Sequence, residues 1–369
     1  MKSKVVTMVA DRLPMKGIIN PGPHQRYRDP RISVETRQLN DLHPDDIRVE
    51  MIYAGICGTD VHLVETNPDT GYVRCSAPAE IPENGRIIGH EGVGKVVSNG
   101  ANVHNVRVGD HVAFESIIVC HHCKECRNGK FNQCRNARLL GLERDGLFGT
   151  TVDVPSLLAH DVTKYSVTDQ DLKGMACLEP AGVALVACQN SRVSPGDIVV
   201  VFGAGPIGLF SAMMAKDIFG ASEVHVVEPV KFRRELAAGW CDQAYDVEDF
   251  FDNCPKSVDV VIEASGCLDN IGRMFRSMGA NGRISLLARS GSTLEIRDVD
   301  HMITNAVTLT GSRGHLGGAL ATILDLYGNS RISLHEFVTN IVKGPEGLAD
   351  ILKSPDKILQ ENCKVLVRF

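Results

Sequence analysis

The sequence predicts a mixed α/β molecule in two parts, a compact β-rich domain followed by a doubly wound parallel-sheet domain. Three observations carry this. The 369 residues are enough for two cores of ordinary size. Short strand-like runs separated by turn residues fill the chain from Ser3 to Val154. From Ile198 onward, apolar runs alternate with helix-like stretches, the pattern of a parallel sheet covered on both faces.

Strands are expected over Ser3–Val9, Ile32–Thr36 and Asp46–Tyr53; in the last, Ile47, Val49, Met51 and Tyr53 fall at every second position. Asn20-Pro21-Gly22-Pro23 reads as a turn, and Asn67 to Arg86, rich in Pro, Gly, Glu and Asn, as an exposed loop bordering the mouth of a site. Strand and turn character resumes at Val93–Val97, Val106–Ala113 and Thr150–Val154. The texture changes near Asn190 to Pro195. There follow strand Ile198–Phe202, helix Ile207–Phe219, strand Glu223–Val227, helix Phe232–Trp240, strand Val258–Glu263, helix Leu268–Met278 and strand Arg283–Leu287. The expected domains are residues 1–180 and 181–330, with 331–369, ending in the strand-like Lys364–Phe369, returning to the first.

A formal net charge of −6 and no basic face argue against nucleic acid as a partner. No apolar run reaches the roughly 20 residues of a membrane span, and the apolar run before Asp11 is too short for a signal peptide. A cytoplasmic protein is expected. There disulfides are rare, so the 12 cysteines need another explanation. Cys75, Cys177, Cys188, Cys241, Cys254, Cys267 and Cys363 are scattered and read as small core hydrophobes.

Cys120, Cys123, Cys126 and Cys134 cluster within fifteen residues, the density that encloses one tetrahedral zinc and leaves no vacancy. Such a zinc is structural; an iron–sulfur cluster or reduced bystanders are the alternatives. Gly203-Ala204-Gly205-Pro206-Ile207-Gly208 follows a buried strand and opens a helix, the setting of a dinucleotide-binding turn in a Rossmann domain. Gly203 permits the turn, Gly205 lets a pyrophosphate approach, Gly208 allows close packing, and Pro206 and Ile207 complete the phosphate site. Glu228, at the end of the next strand, is placed to accept hydrogen bonds from both ribose hydroxyls, which favours NAD over NADP. Lys231, Arg233 and Arg234 keep NADP open, with Arg233 a cofactor-binding candidate.

Cys57, His90 and Glu179 are a thiolate, an imidazole and a carboxylate, a donor set that holds a catalytic zinc with a fourth position free. Alone, each reads as well as a core thiol, a satisfied polar residue and a solvated acid. Together, beside glycines and upstream of a cofactor domain, they gain weight. Glu91 is either a residue behind the ligands or a ligand that exchanges with water.

The chain resembles a zinc-dependent member of the medium-chain dehydrogenase/reductase family over essentially its full length. Gly89-His90-Glu91, Gly94, Gly100 and Val103 match that family's zinc motif position by position, and the four cysteines match its structural zinc loop. The resemblance implies a GroES-like first domain, an active site between the domains, and catalytic zinc at Cys57, His90 and Glu179 with Glu91 adjacent. It implies Thr59 as the hydroxyl that accepts the substrate proton, His62 at the outer end of the relay, and Asp60 orienting a ligand. Glutamate rather than cysteine at 179 points to the polyol, sugar and threonine dehydrogenase branch, in which Glu115 matches a position near substrate hydroxyls or amine. Gly58 stands where some relatives carry a cofactor-binding arginine, and the span from Asn67 to Arg86 is longer than usual.

The expected reaction is reversible interconversion of a secondary alcohol and a ketone, on a polyol, sugar or aminocyclitol, with a threonine-like amino alcohol second. Arg313 and His315 are read either near the nicotinamide or as surface residues. A homodimer or homotetramer, joined near residues 300 to 312, is implied by the resemblance. The rival readings are a zinc-free quinone or enone reductase and a non-catalytic relative.

Overall fold

The computed structural model describes the backbone of residues 1–369 and the side chains of all but 356, 357 and 359. Asp46–Gly55 is the central strand of the first domain, and its alternation decides which face is buried: Ile47, Val49, Met51 and Tyr53 all lie in the core. Arg48, on the opposite face, meets Asp153 of the neighbouring strand Thr151–Pro155 at 2.8 Å. The sheet runs Ala159–Asp161, His111–Phe114, Glu91–Asn99, Asp46–Gly55, Lys364–Arg368, Val338–Lys343. The last two strands thus come from the far end of the chain. Lys2–Arg12 and Tyr27–Gln38 form an antiparallel pair against which Arg86–Ile87 adds a short third strand.

The glycines of Gly89 to Gly94 are required by this packing. A Cβ on Gly94 would meet the Glu50 carbonyl oxygen at 2.6 Å, and Gly89, at φ +88°, lies against the Phe148 ring. Strand Glu91–Asn99 can approach its neighbour only because those side chains are missing.

The second domain is a six-stranded, all-parallel sheet in the order Gln243–Tyr245, Glu223–Val227, Ile198–Phe202, Val258–Glu263, Met278–Leu286, Thr308–Gly311. Strand Ile198–Phe202 shows why both faces are covered. Val199 and Val201 pack with Leu209, Phe210 and Met213 of helix Pro206–Asp217, while Val200 and Phe202 pack with Phe250, Ile271 and Met274 on the other side. The order reverses between Ile198–Phe202 and Val258–Glu263, the switch point at which open α/β sheets bind ligands.

Three departures from the sequence expectation have physical causes. The segment from Asn67 to Arg86 is irregular but only partly exposed: Asn67 to Thr70, Glu83 and Asn84 face solvent, while Val73, Cys75, Ala77, Ala79 and Ile81 are all buried, every second residue in an extended run. Tyr27 anchors it by accepting the Ile81 N–H at 3.1 Å. The helix expected at Leu268–Met278 ends at Met274; one 3₁₀ turn follows and Met278 already opens the next strand. Of the scattered cysteines, five are buried, but Cys254 is half-buried and Cys267 is exposed, so those two are not core residues.

Candidate metal and cofactor site

Cys57 caps the short helix Gly58–Val64, and Asp60 in its first turn locks the site together. One carboxylate oxygen of Asp60 accepts the Cys57 N–H at 2.9 Å; the other accepts the Gly89 N–H at 3.2 Å and lies 3.9 Å from His90 Nδ1. Two segments distant in sequence are thereby held by one buried acid. The ligand atoms of Cys57, His90 and Glu91 all lie within 4.8 Å of one another. Glu179, in helix Leu178–Asn190, stands outside that group, and Ser116 Oγ donates to it at 2.9 Å. Thr59 and His62 are half-buried, three residues apart on one face of the helix that Cys57 caps.

The residues fit a cation. His90 Nδ1 is buried with no hydrogen-bond partner. The buried carboxylates of Asp60, Glu91 and Glu179 outnumber the buried cations beside them among the described residues, Lys364 and His90, so a divalent ion would offset the remaining negative charge. Burial raises the Cys57 thiol and the neighbouring Glu91 raises it further. Burial opposes charge on His90, yet Cys57, Asp60 and Glu179 together hold it well above the usual histidine value. Burial also pushes Glu179 up to about 7, against the pull of His90. Burial lowers His62, with Arg74 adding to the effect.

Two residues of this site escaped the sequence reading. Lys364 is buried, forms an ion pair with Glu91, and donates to the Ile56 carbonyl at 3.0 Å. Burial disfavours its charge, but Glu91, Cys177 and Cys57 together outweigh that and raise its pKa. Gly55 leaves the space the pair occupies, since a Cβ there would meet Glu91 Oε2 at 2.6 Å and Lys364 Cε at 2.8 Å. Nothing local in the strand Lys364–Arg368 separates the buried Lys364 from the exposed Arg368 at its other end. Ser116 is the other. It faces Glu179, whereas the anticipated Glu115 lies 3.4 Å from His160. Arg313 is half-buried. His315 is fully buried, with burial lowering its pKa to about 4, and it accepts the Ser116 N–H through Nε2 at 2.9 Å.

At the switch point, Gly203 has φ +94° and a Cβ on Gly208 would meet the Gly203 carbonyl oxygen at 1.8 Å, so both glycines are structural necessities. Gly205 differs: a Cβ there would have no protein atom within 4 Å, which leaves a cradle open in front of Pro206 and Ile207 at the helix start. Glu228 is buried beside it, accepting the N–H groups of Ala204 at 2.7 Å and Val230 at 2.9 Å. Of the nearby cations, the two arginines are engaged by backbone carbonyls, while Lys231 is exposed. Arg233 Nε donates to the Asn362 carbonyl at 2.9 Å, Arg234 to the Glu228 carbonyl at 2.7 Å, and Lys231 lies 3.7 Å from Glu235.

The four cysteines also converge. Cys120, Cys123, Cys126 and Cys134 lie within 4.8 Å of one another, with Cys134 3.6 Å from Cys120 and 3.9 Å from Cys123. Four thiolates at 2.3 Å from one tetrahedral zinc would stand about 3.8 Å apart. Backbone N–H groups of His122 and Cys123 lower the Cys120 thiol to about 5, whereas burial and the hydrogen bonds with Cys123 and Cys134 raise Cys126.

Residues 43–166 match the alcohol dehydrogenase GroES-like domain and residues 206–327 the zinc-binding dehydrogenase domain. The chain is 32% identical to L-threonine 3-dehydrogenase of Pyrococcus abyssi, over 82% of its own length and 85% of the relative's. It is 30% identical to 2-dehydro-3-deoxy-L-galactonate 5-dehydrogenase of Pseudoalteromonas atlantica, over 83% of its length and 86% of the relative's. The structure of a putative alcohol dehydrogenase from Thermotoga maritima superposes with a TM-score of 0.87 at 25% identity, covering 100% of both chains. Two family models matched in sequence order, and relatives aligned across both domains, place the chain among the zinc-binding alcohol dehydrogenases, oxidoreductases of the medium-chain dehydrogenase/reductase family.

Proposed function

We propose that the chain is a zinc- and NAD-dependent dehydrogenase interconverting a secondary alcohol and a ketone, on a polyol, sugar or aminocyclitol. The observation that carries this is the meeting of Cys57, His90 and Glu91 within 4.8 Å, in a buried site with excess negative charge. Cys57, His90 and Glu179 would hold the catalytic zinc, with Glu91 adjacent, and Cys120, Cys123, Cys126 and Cys134 a second, structural one. Zinc would supply Lewis-acid polarisation of the substrate oxygen, and the nicotinamide would take the hydride.

Thr59 accepts the substrate hydroxyl proton, and His62, one turn along the same helix face, carries it outward. Burial and Arg74 disfavour a standing charge on His62, so a proton that reaches it would be passed on rather than held. Asp60 fixes Cys57 and His90 relative to each other. Glu228 reads the ribose, and the engagement of Arg233 and Arg234 with backbone carbonyls supports NAD over NADP. A threonine-like amino alcohol is the second substrate reading, favoured by the P. abyssi relative.

No helix among the described residues is long and apolar enough to cross a membrane. Twelve unpaired cysteines support a reducing compartment, the cytoplasm. Thr308–Gly311 is an edge strand and Ile303 on the preceding helix is 72% exposed, which supports a homodimer or homotetramer formed along that edge.

Metal content and turnover test the proposal. With polyols, sugars and amino alcohols screened against NAD and NADP, two zinc ions per chain and NAD reduction are expected. Cys57→Ser should lose one zinc and all turnover; a variant with full activity refutes the ligand assignment.

A further inference from the structure

The loop that follows the last strand of the cofactor sheet crosses into the other domain and is fitted there at three successive residues. Gly314, at φ +69°, passes so close that a Cβ would meet Ile117 Cδ1 at 2.5 Å and Asn132 Oδ1 at 2.8 Å. The Leu316 N–H donates to that same Asn132 oxygen at 3.0 Å. Asn132 lies in the four-cysteine lobe, between Cys126 and Cys134. Between these contacts His315 enters the core and accepts the Ser116 N–H at 2.9 Å.

The hydrogen-bond directions define a chain of constraint. Nε2 of His315 is the acceptor, so the neutral ring carries its proton on Nδ1, which is buried and unpartnered. Ser116 has its backbone held by this histidine, and its hydroxyl donates to Glu179 Oε1 at 2.9 Å. His315 Nε2 itself stands 3.7 Å from that oxygen. The bond from His315 fixes where the Ser116 backbone stands, and so the reach of its hydroxyl, whose own bond to Glu179 sets the direction of the proton. Burying an imidazole with an unpaired Nδ1–H is costly, and a site where only packing mattered would be filled as well by leucine.

We propose that His315 is a positioning residue: from the cofactor domain it fixes Ser116, and through Ser116 the Glu179 carboxylate, while Asn132 of the four-cysteine lobe holds the loop in register. The proposal rests on the reading that Glu179 takes part in the catalytic metal site. Docking of the two domains and the pose of that carboxylate are then one event. The lobe serves the catalytic site directly, although its cysteines hold a separate ion.

The test uses the full chain, stripped of metal and reloaded with Co²⁺, whose visible absorption reports coordination at the catalytic site. His315→Leu and Ser116→Ala should both shift the catalytic cobalt band and lower kcat by about tenfold or more with a smaller change in KM. His315→Gln, which can place an acceptor oxygen near the Nε2 position, should restore both. The thiolate-to-cobalt absorption of the four-cysteine lobe should stay unchanged in all three. Folded His315→Leu with an unshifted band and wild-type kcat overturns the proposal, as does a Gln variant no better than Leu. Should the Leu variant fail to fold, Asn132→Ala decides: it must still shift the catalytic band, and an unshifted band rejects the coupling. Glu179→Ala separates the two levels. If it leaves the band unmoved, the metal role of Glu179 has failed, and the positioning role falls with it; if it moves the band and His315→Leu does not, only the positioning role fails.

Discussion

At Lys364 the sign of one buried charge decides the chemistry around it. Glu91 and Lys364 are each about 1% exposed, and neither has water to fall back on. Removing one partner of such a pair costs about 3–5 kcal/mol because the other charge is left uncompensated. Lys364→Met should therefore lower unfolding free energy by about that amount, measured in urea, far more than the same change at an exposed lysine. Glu228 makes a milder case. It accepts one backbone N–H from the cofactor turn, at Ala204, and one from Val230 two residues on, so Glu228→Ala should loosen that turn, raise the Kd for NAD about tenfold or more and narrow the preference over NADP, read by titration with both cofactors. The motifs around Cys57, His90 and Gly203 were legible because their chemistry is local. Lys364 was not, because a lysine in a strand reads as solvent-facing until its partner, 273 residues away in sequence, is known.

Elements show the same division between local and distant causes. The parallel strands announced themselves through continuous apolar runs, and the central strand of the first domain through the alternation of Ile47, Val49 and Met51 with Arg48 and Glu50. The buried run from Val73 to Ile81 alternates too, but its inward residues include Cys75, Ala77 and Ala79, and small side chains between prolines carry little apolar signal. Helix ends were overrun at Leu268–Met274 and Lys231–Ala237 because apolar residues continue past the last helical turn. The junction of strand and helix at the cofactor turn is the most exacting of these elements. With the Gly203 carbonyl 1.8 Å from where a Cβ would sit, Gly208→Ala must displace the helix start, and should destabilise the domain by roughly 1–3 kcal/mol while abolishing detectable cofactor binding. Calorimetry with and without NAD checks both halves.

For the whole molecule, two thiolate-containing sites of different closure predict an ordered loss of metal. The four-cysteine cluster is complete in itself, whereas the site proposed at Cys57, His90 and Glu179, with Glu91 adjacent, would have to leave a position for substrate. A chelator should remove the ion bound there first and abolish turnover with little change in Tm, then the lobe's ion with a large drop in Tm. Cys123→Ser should reproduce the second stage alone, seen as one retained zinc and a destabilised chain. Loss of both ions at one rate would show that the two sites are alike. The two-domain architecture itself was readable from the change of texture near residue 190; that a loop after residue 311 would reach back to Ser116 was not, since no periodicity encodes a contact between domains.

Strand Lys364–Arg368 lies between Asp46–Gly55 and Val338–Lys343 and delivers the ammonium that neutralises Glu91. As the nascent chain leaves the ribosome, that carboxylate emerges hundreds of residues before its counter-ion. Until the strand arrives, the carboxylate has to stay hydrated, and the sheet around it has to remain open. Synthesis order therefore makes this pocket one of the last parts of the protein to dry.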